Sequence, residues 1–173
     1  MMNKMMQDAL NEQMKHEFYS SYLYLSMSAF CDRANLPGLA KWMRAQAQEE
    51  IKHAMKIFDH VLDRGGKIEL HQLGRPPADF ASPMDVFEQA HKHEQQVTAS
   101  INKVYGLAVD ERDFASTVFL DWFVREQVEE EKTSGLLFEQ FRMVGEDRPG
   151  LLMLDRELGQ RKTREAEAPA APT

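Results

Sequence analysis

Residues 65–83 read GGKIELHQLGRPPADFASP. The stretch opens on two glycines, carries an inner Gly74 and the Pro76–Pro77 pair, and shows no apolar repeat at helical spacing, so it reads as an extended connection. About 17 of its residues reach roughly 55 Å when extended, more than the roughly 35 Å of a 23-residue helix. A connection of that reach carries the chain from one end of a helical bundle back to the other. The helices on its two sides can then run parallel. An all-α fold follows, a four-helix bundle with one long crossover between helices two and three, in place of an up-down-up-down bundle with short loops throughout.

The flanking sequence supplies the helices. Upstream, NLPG at 35–38 is a short turn with Pro37 set to open helix two, which the Gly65–Gly66 pair ends. So short a turn makes helices one and two antiparallel neighbours. Helix one is marked by the lack of Gly and Pro from Asn3 to Asp32 and by Leu10, Met14, Tyr22 and Leu25 recurring at helical spacing. Downstream, Ser82–Pro83 supplies an N-cap and first helical residue for helix three, which is expected to run to about Leu107. Gly106 and VDERD at 109–113 mark the next turn, and helix four is expected over 111–144. Gly145, Pro149 and Gly150 end it, and LLMLDREL at 151–158 predicts a short C-terminal fifth helix. The bundle with its fifth helix is expected over residues 1–162, and the Ala/Pro-rich end predicts a disordered tail over 163–173. No internal repeat is visible.

Composition narrows the function. At 173 residues the chain fits one domain with a substantial core. Its single cysteine, Cys31, excludes an internal disulfide. With no CxxC pair or Cys/His cluster, structural zinc and a rubredoxin-type iron site are disfavoured, and a reducing, cytoplasmic setting is expected. MMNKMMQDALNEQ at the N-terminus lacks a signal-peptide core, and no run of about 18 apolar residues occurs, so no membrane association is expected. A net charge of −7 with pI near 5.4 argues against nucleic acid, which is bound through clustered Lys and Arg, and makes cations the natural partners.

Each helix places an acidic residue on its apolar stripe. In helix two, QEEIKH at 48–53 sets Glu50 seven residues from both Met43 and Ile57, with His53 beside it on that face. In helix three Glu94 interrupts the stripe Phe87, Ala90, Val97, Ile101. In helix four Gln127 and Glu130 interrupt Phe119, Phe123, Leu137 and Phe141, and in helix one Glu17 falls between Leu10 or Met14 and Tyr24. Antiparallel packing brings these helix middles to one level. Ionised carboxylates in an apolar interior cost several kcal/mol each, and the inner stripes hold no Lys or Arg to compensate. Four glutamates and a neutral imidazole balance two divalent cations. Such ligation suits iron or manganese, and also zinc.

The set formed by Glu17, the Glu50-x-x-His53 pair, Glu94, and Gln127 with Glu130 resembles the ferroxidase centre of ferritins of the bacterial non-haem type, over about residues 3–160. The general pattern of carboxylates and Glu-x-x-His pairs projecting into a bundle is one that ferritin-like di-iron proteins exemplify. The resemblance implies that Glu17 and His53 are terminal ligands of a first iron and Glu50 a bridge to a second. Glu94 and Glu130 are then ligands of the second iron, with Gln127 near it. Tyr24 corresponds to a tyrosine beside the centre and Trp122 to an aromatic close by. Glu49, Glu126 and Glu129, with Glu130 shared, correspond to a third iron site.

Two departures separate the chain from related types. Bacterioferritins carry a second Glu-x-x-His in helix four and a haem-ligating methionine after the bridging glutamate. Glu130 and Ile51 stand at the corresponding positions here, and no haem is expected. Animal ferritins line a three-fold channel with carboxylates where this chain has Thr117 and Leu120, with Asp121 nearby. The resemblance further implies oxidation of Fe(II) to Fe(III) by dioxygen or hydrogen peroxide. It also implies deposition of the product as a mineral in a hollow twenty-four-subunit homo-oligomer, with the fifth helix at the four-fold axes. The remaining histidines, His16, His60, His71, His91 and His93, show no ligand spacing. A rubrerythrin-like peroxidase, a structural bundle with an acidic core, and a DNA-protecting mini-ferritin are the alternative readings.

Overall fold

The computed structural model describes residues 2–160, so the tail expected over 163–173 lies outside the described residues. Five helices follow one another: α1 (Lys4–Arg33), α2 (Pro37–Asp63), α3 (Pro83–Asp110), α4 (Phe114–Val144) and α5 (Arg148–Leu158). Side chains cap four of their N-termini. Asn3 accepts from the Met6 N–H, Ser82 from Asp85, Asp113 from Ser116 and Asp147 from Gly150.

Two apolar clusters fix the helix directions. One gathers Leu23 and Met27 of α1, Leu39 and Met43 of α2, Phe87 and Ala90 of α3, and Leu137 and Phe141 of α4. The other gathers Leu10 and Met14, Ala54 and Ile57, Val97 and Ile101, and Leu120 and Phe123. In α2 and α3 the lower-numbered residues share the first cluster, so those two helices are parallel; α1 and α4 run against them. That is the crossover topology the 65–83 stretch requires.

The crossover lies along α1 from end to end. At one end Gln7 Oε1 accepts from the Lys67 N–H at 2.7 Å. Buried Asn11 donates to the Lys67 carbonyl at 2.9 Å and accepts from the Glu69 N–H at 3.2 Å. At the other end Ser26 donates to the Pro77 carbonyl at 2.5 Å and Arg33 to that of Ala78 at 3.0 Å. Side chains thereby satisfy backbone groups of a segment that has no helix or sheet partner.

Several boundaries differ from the sequence reading. Helix α3 passes through Gly106 and continues to Asp110, because a glycine inside a helix costs only about 1 kcal/mol and the real stop is Arg112 at φ 53 followed by the Asp113 cap. Pro149 and Gly150 lie inside the first turn of α5, where proline is tolerated. The helix-four stop is Gly145 alone, at φ 54 and ψ −122, a conformation that side chains disfavour. Tyr22 and Leu25 are 50% and 43% exposed. The buried stripe of α1 instead runs through Leu10, Met14, Glu17, Ser21, Tyr24, Ser28 and Cys31.

Helix α2 has no side-chain cap from its own flank. Its cap comes from α5: buried Asp155 accepts from the Leu39 N–H at 2.9 Å. The approach is so close that a Cβ on Gly38 would sit 1.7 Å from the Asp155 carbonyl oxygen. Asp155→Ala is therefore expected to cost about 1 kcal/mol, within the range for a lost N-cap. The check is urea denaturation followed by circular dichroism, with faster proteolysis within α5 as a second readout; an unchanged midpoint would show the cap to be idle.

Candidate metal centre

In every bundle helix the polar level lies between the two apolar clusters. Glu17, Glu50, His53, Glu94, Gln127 and Glu130 are between 1% and 6% exposed. Among the described residues no buried side chain is Lys or Arg. The compensation that buried carboxylates need must come from hydrogen-bond donors, protons or cations.

The tightest grouping is Glu17, Glu50 and His53, which each offer a ligand atom within 4.8 Å of the other two. His53 Nδ1 lies 3.3 Å from a Glu50 oxygen and 3.9 Å from Glu17 Oε2. The i,i+3 spacing on α2 presents Glu50 and His53 together, and α1 brings Glu17 to them. After burial, the charge of Glu50 also raises Glu17, so the pair favours holding a proton between its two carboxylates. A cation can take that proton's place.

Glu94 and Glu130 fall outside this triad. Tyr24 donates a short hydrogen bond to Glu94 Oε1, and Gln127 Nε2 donates to its Oε2 at 3.2 Å. Glu130 Oε2 accepts from Gln46 at 3.0 Å. The electrostatics nevertheless join the two halves. Burial, and then the charges of Glu94 and Glu130, raise the Glu50 carboxyl well above the usual carboxylate range. Burial and then Glu50 push Glu17 up to about 8, and burial and then Glu94 push Glu130 up to about 7. Burial also raises Glu94, opposed by the hydrogen bonds from Tyr24 and Gln127, while burial and then Glu94 raise the Tyr24 phenol. Metal-free, the site holds protons near neutrality; cations would displace them.

The other expected residues are less uniform. Glu49 is 6% exposed, and its charge acts on both Glu50 and Glu130. Glu126 is half-buried and Glu129 exposed. The Trp122 ring packs edge-on to His53, with centroids 5.2 Å apart, and Lys56 Nζ lies over the indole, 4.4 Å from its ring centroid. The remaining histidines bond elsewhere: His60 and His91 approach Ser116 and Ser134, and His93 lies 2.7 Å from Ser20 Oγ. Two buried amides escaped the sequence reading. Gln13, one turn before Glu17, donates to Glu17 Oε1 at 2.7 Å, and Gln46 is one turn before Glu50. Their i,i−4 placement on the acidic stripes was the available signal.

Four long helices with one crossover, enclosing a buried cluster of carboxylates and an imidazole that could hold a metal, define a bundle of the ferritin-like class. The family model described as a ferritin-like domain matches residues 7–144, and the chain belongs to the ferritin family. It is 37% identical over 155 residues to a probable bacterial non-heme ferritin-like protein of Haemophilus influenzae, covering 90% of this chain and 94% of that one. A bacterial non-heme ferritin of Staphylococcus saprophyticus is 38% identical over 167 residues, covering 96% of this chain and all of its own (100%). Among solved structures, an open pore ferritin from the hyperthermophilic archaeon Archaeoglobus fulgidus superposes with a TM-score of 0.93 at 45% identity, covering 94% of this chain and 100% of that one. A closed form engineered from that ferritin matches with a TM-score of 0.93 at 44% identity, covering 95% and 100%. Among the described residues no helix is long and apolar enough to cross a membrane.

Proposed function

We infer that the chain is an iron-storage protein with ferroxidase activity. Fe(II) is its substrate, bound as a pair between Glu17, Glu50 and His53 on one side and Glu94, Gln127 and Glu130 on the other. The carrying observation is the Glu17–Glu50–His53 triad, buried in a core that holds no buried Lys or Arg among the described residues and joined electrostatically to two further carboxylates. Membership of the ferritin family and the non-heme ferritin names of the relatives support iron as the metal.

Anionic oxygen ligands favour Fe(III) over Fe(II), so they promote electron loss from the bound pair. The two electrons reduce dioxygen to hydrogen peroxide, or hydrogen peroxide to water, with protons taken up by the reduced oxygen. Protons displaced from Glu17 and Glu50 as the cations bind are available for that uptake. Tyr24 stands against Glu94 as a nearby phenol, and Gln127, a neutral amide, holds its cation less firmly than a carboxylate would, which favours release of the product. Glu49, Glu126 and Glu129 form an additional, more solvent-facing acceptor beside the pair.

Fe(III) then passes into a hollow shell of twenty-four like subunits and is deposited there as a mineral. Phe114, Val118, Met143 and Met153, each at least 70% exposed, are apolar surfaces that assembly would cover. A relative described as an open pore ferritin, with a closed form engineered from it, supports a shell pierced by openings. The setting proposed is the cytoplasm, with iron as cargo and no haem.

Iron loading tests the reading. Apo-protein given excess Fe(II) in air and then desalted is expected to retain far more than the about two ions per chain that a di-iron site holds. A count that stops near two would remove storage and favour a peroxidase; no retention at all would remove the metal centre.

A further inference from the structure

The side chains behind Glu17 form a directed chain that leads away from the ligand set. Gln13 is 1% exposed and donates from Nε2 to Glu17 Oε1 at 2.7 Å. Its own Oε1 accepts from Ser100 Oγ of α3 at 2.5 Å. Ser100 Oγ in turn lies 3.0 Å from His16 Nδ1. A serine hydroxyl has one proton, and an amide oxygen has none to give, so the Ser100 proton points at Gln13. His16 Nε2, at the solvent end, lies 3.4 Å from Glu12 Oε1.

The two donors of this chain face the same way, from Ser100 through Gln13 to Glu17. The reverse wiring would set Gln13 Oε1 in place of Nε2, 2.7 Å from a Glu17 oxygen. Two acceptors would then face each other in a dry site, repelled whenever Glu17 is ionised. The carboxylate thus draws the Nε2 end of the amide, and the Ser100 hydroxyl, donating to Oε1, holds the other end in place. With Oε1 tied back to Gln13, the Glu17 Oε2 oxygen is the one on the His53 side.

We propose that Ser100 is a positioning residue for the iron ligand Glu17: by donating to Gln13 Oε1 it holds the Gln13 amide N–H toward the carboxylate and leaves Glu17 Oε2 aimed at the cation. This rests on the reading of Glu17 as a ligand. It assigns a role to a residue of α3 that touches no metal. Supporting groups of this kind typically change metal affinity by about 10–100-fold when removed.

Anaerobic Co(II) titration, followed by ligand-field absorption, tests it on the assembled protein, with Ser100→Ala and Ser100→Thr beside the parent. Ser100→Ala is expected to weaken the tighter Co(II) step by roughly tenfold and to alter its band shape. Ser100→Thr, which keeps a hydroxyl, is expected to restore both, and the metal-free proteins are expected to melt alike. If the parent binds Co(II) and Ser100→Ala matches it in affinity and spectrum, the role of Ser100 is overturned while the metal centre stands. A Thr variant as weak as the Ala variant would also overturn it, since the hydroxyl would not be the cause. A parent that binds no Co(II) would overturn both readings.

Discussion

Glu50→Gln is expected to slow Fe(II) oxidation by about 100-fold or more while making the metal-free protein more stable at pH 8. Under the proposed function Glu50 is the carboxylate shared between the two halves of the site: its oxygen lies 3.3 Å from His53 Nδ1, and the charges of Glu94 and Glu130 act on it. An amide of the same shape keeps the packing but cannot be anionic. Loss even of a supporting group commonly costs about 10–100-fold in affinity or activity, so loss of a shared ligand belongs at or beyond the top of that range. The stability effect has the opposite sign. The parent must either keep Glu50 protonated or bear a buried anion beside three others, and a neutral replacement avoids both. Removing buried charge in this way is worth roughly 1–4 kcal/mol. Stopped-flow oxidation kinetics and thermal melts of the same preparations check the pair of effects. Normal turnover in the variant would remove Glu50 from the mechanism, and a less stable apo-variant would contradict the electrostatic account of the core.

Metal-free parent protein is expected to lose stability steadily as pH rises. Below about 4.5, Glu17 and Glu130 are protonated whether the chain is folded or not, so their burial as neutral acids carries no pH-dependent cost. From 4.5 upward the unfolded chain releases these protons, whereas the folded chain keeps them up to about 8 at Glu17 and about 7 at Glu130. Each unit of separation is worth roughly 1.4 kcal/mol, which makes the loss several kcal/mol over this window and lowers the melting temperature by roughly 10 °C or more. Glu12, held low by its hydrogen bond from Lys15, works in the other direction but below the window. A divalent cation should reverse the trend, because it binds the ionised folded site and its affinity rises as protons leave. Melts at pH 5 and pH 8, with and without Zn(II), decide the matter. Metal-free stability that rises between those two values would refute the assignment of raised carboxyls to the core.

The crossover and the acidic stripes were legible because both are departures from a strong local pattern. Nineteen residues without helical period between two long helices leave few topologies, and Glu94 flanked by Val97 and Ile101 on one side and Ala90 and Phe87 on the other stands out against its own stripe. Gln13 and Gln46 did not stand out, since a neutral amide on an inner face carries no charge that demands an explanation. Only the distances to Glu17 and Glu130 reveal what they do. Gly106 misled because its cost inside a helix is smaller than the packing that carries α3 past it. Tyr22 and Leu25 misled because aromatic and aliphatic side chains also occur on outer faces, while the true stripe used serines at 21 and 28. The Asp155–Leu39 cap spans 116 residues, and no local rule connects its ends.

That cap gives the chain an order of completion during synthesis. Helix α2 carries Glu50 and His53, yet the group that finishes its first turn is translated 116 residues after Leu39. At about 5–20 residues per second the ribosome needs roughly ten seconds to supply it. Throughout that interval α1 and α2 can pair as a hairpin, but α2 has an open end, and Glu94 and Glu130 arrive only on the two helices made in between. The half-built site is thus a nascent chain with two of its carboxylates and an unfinished frame, and the last helix to emerge closes the first half of the bundle.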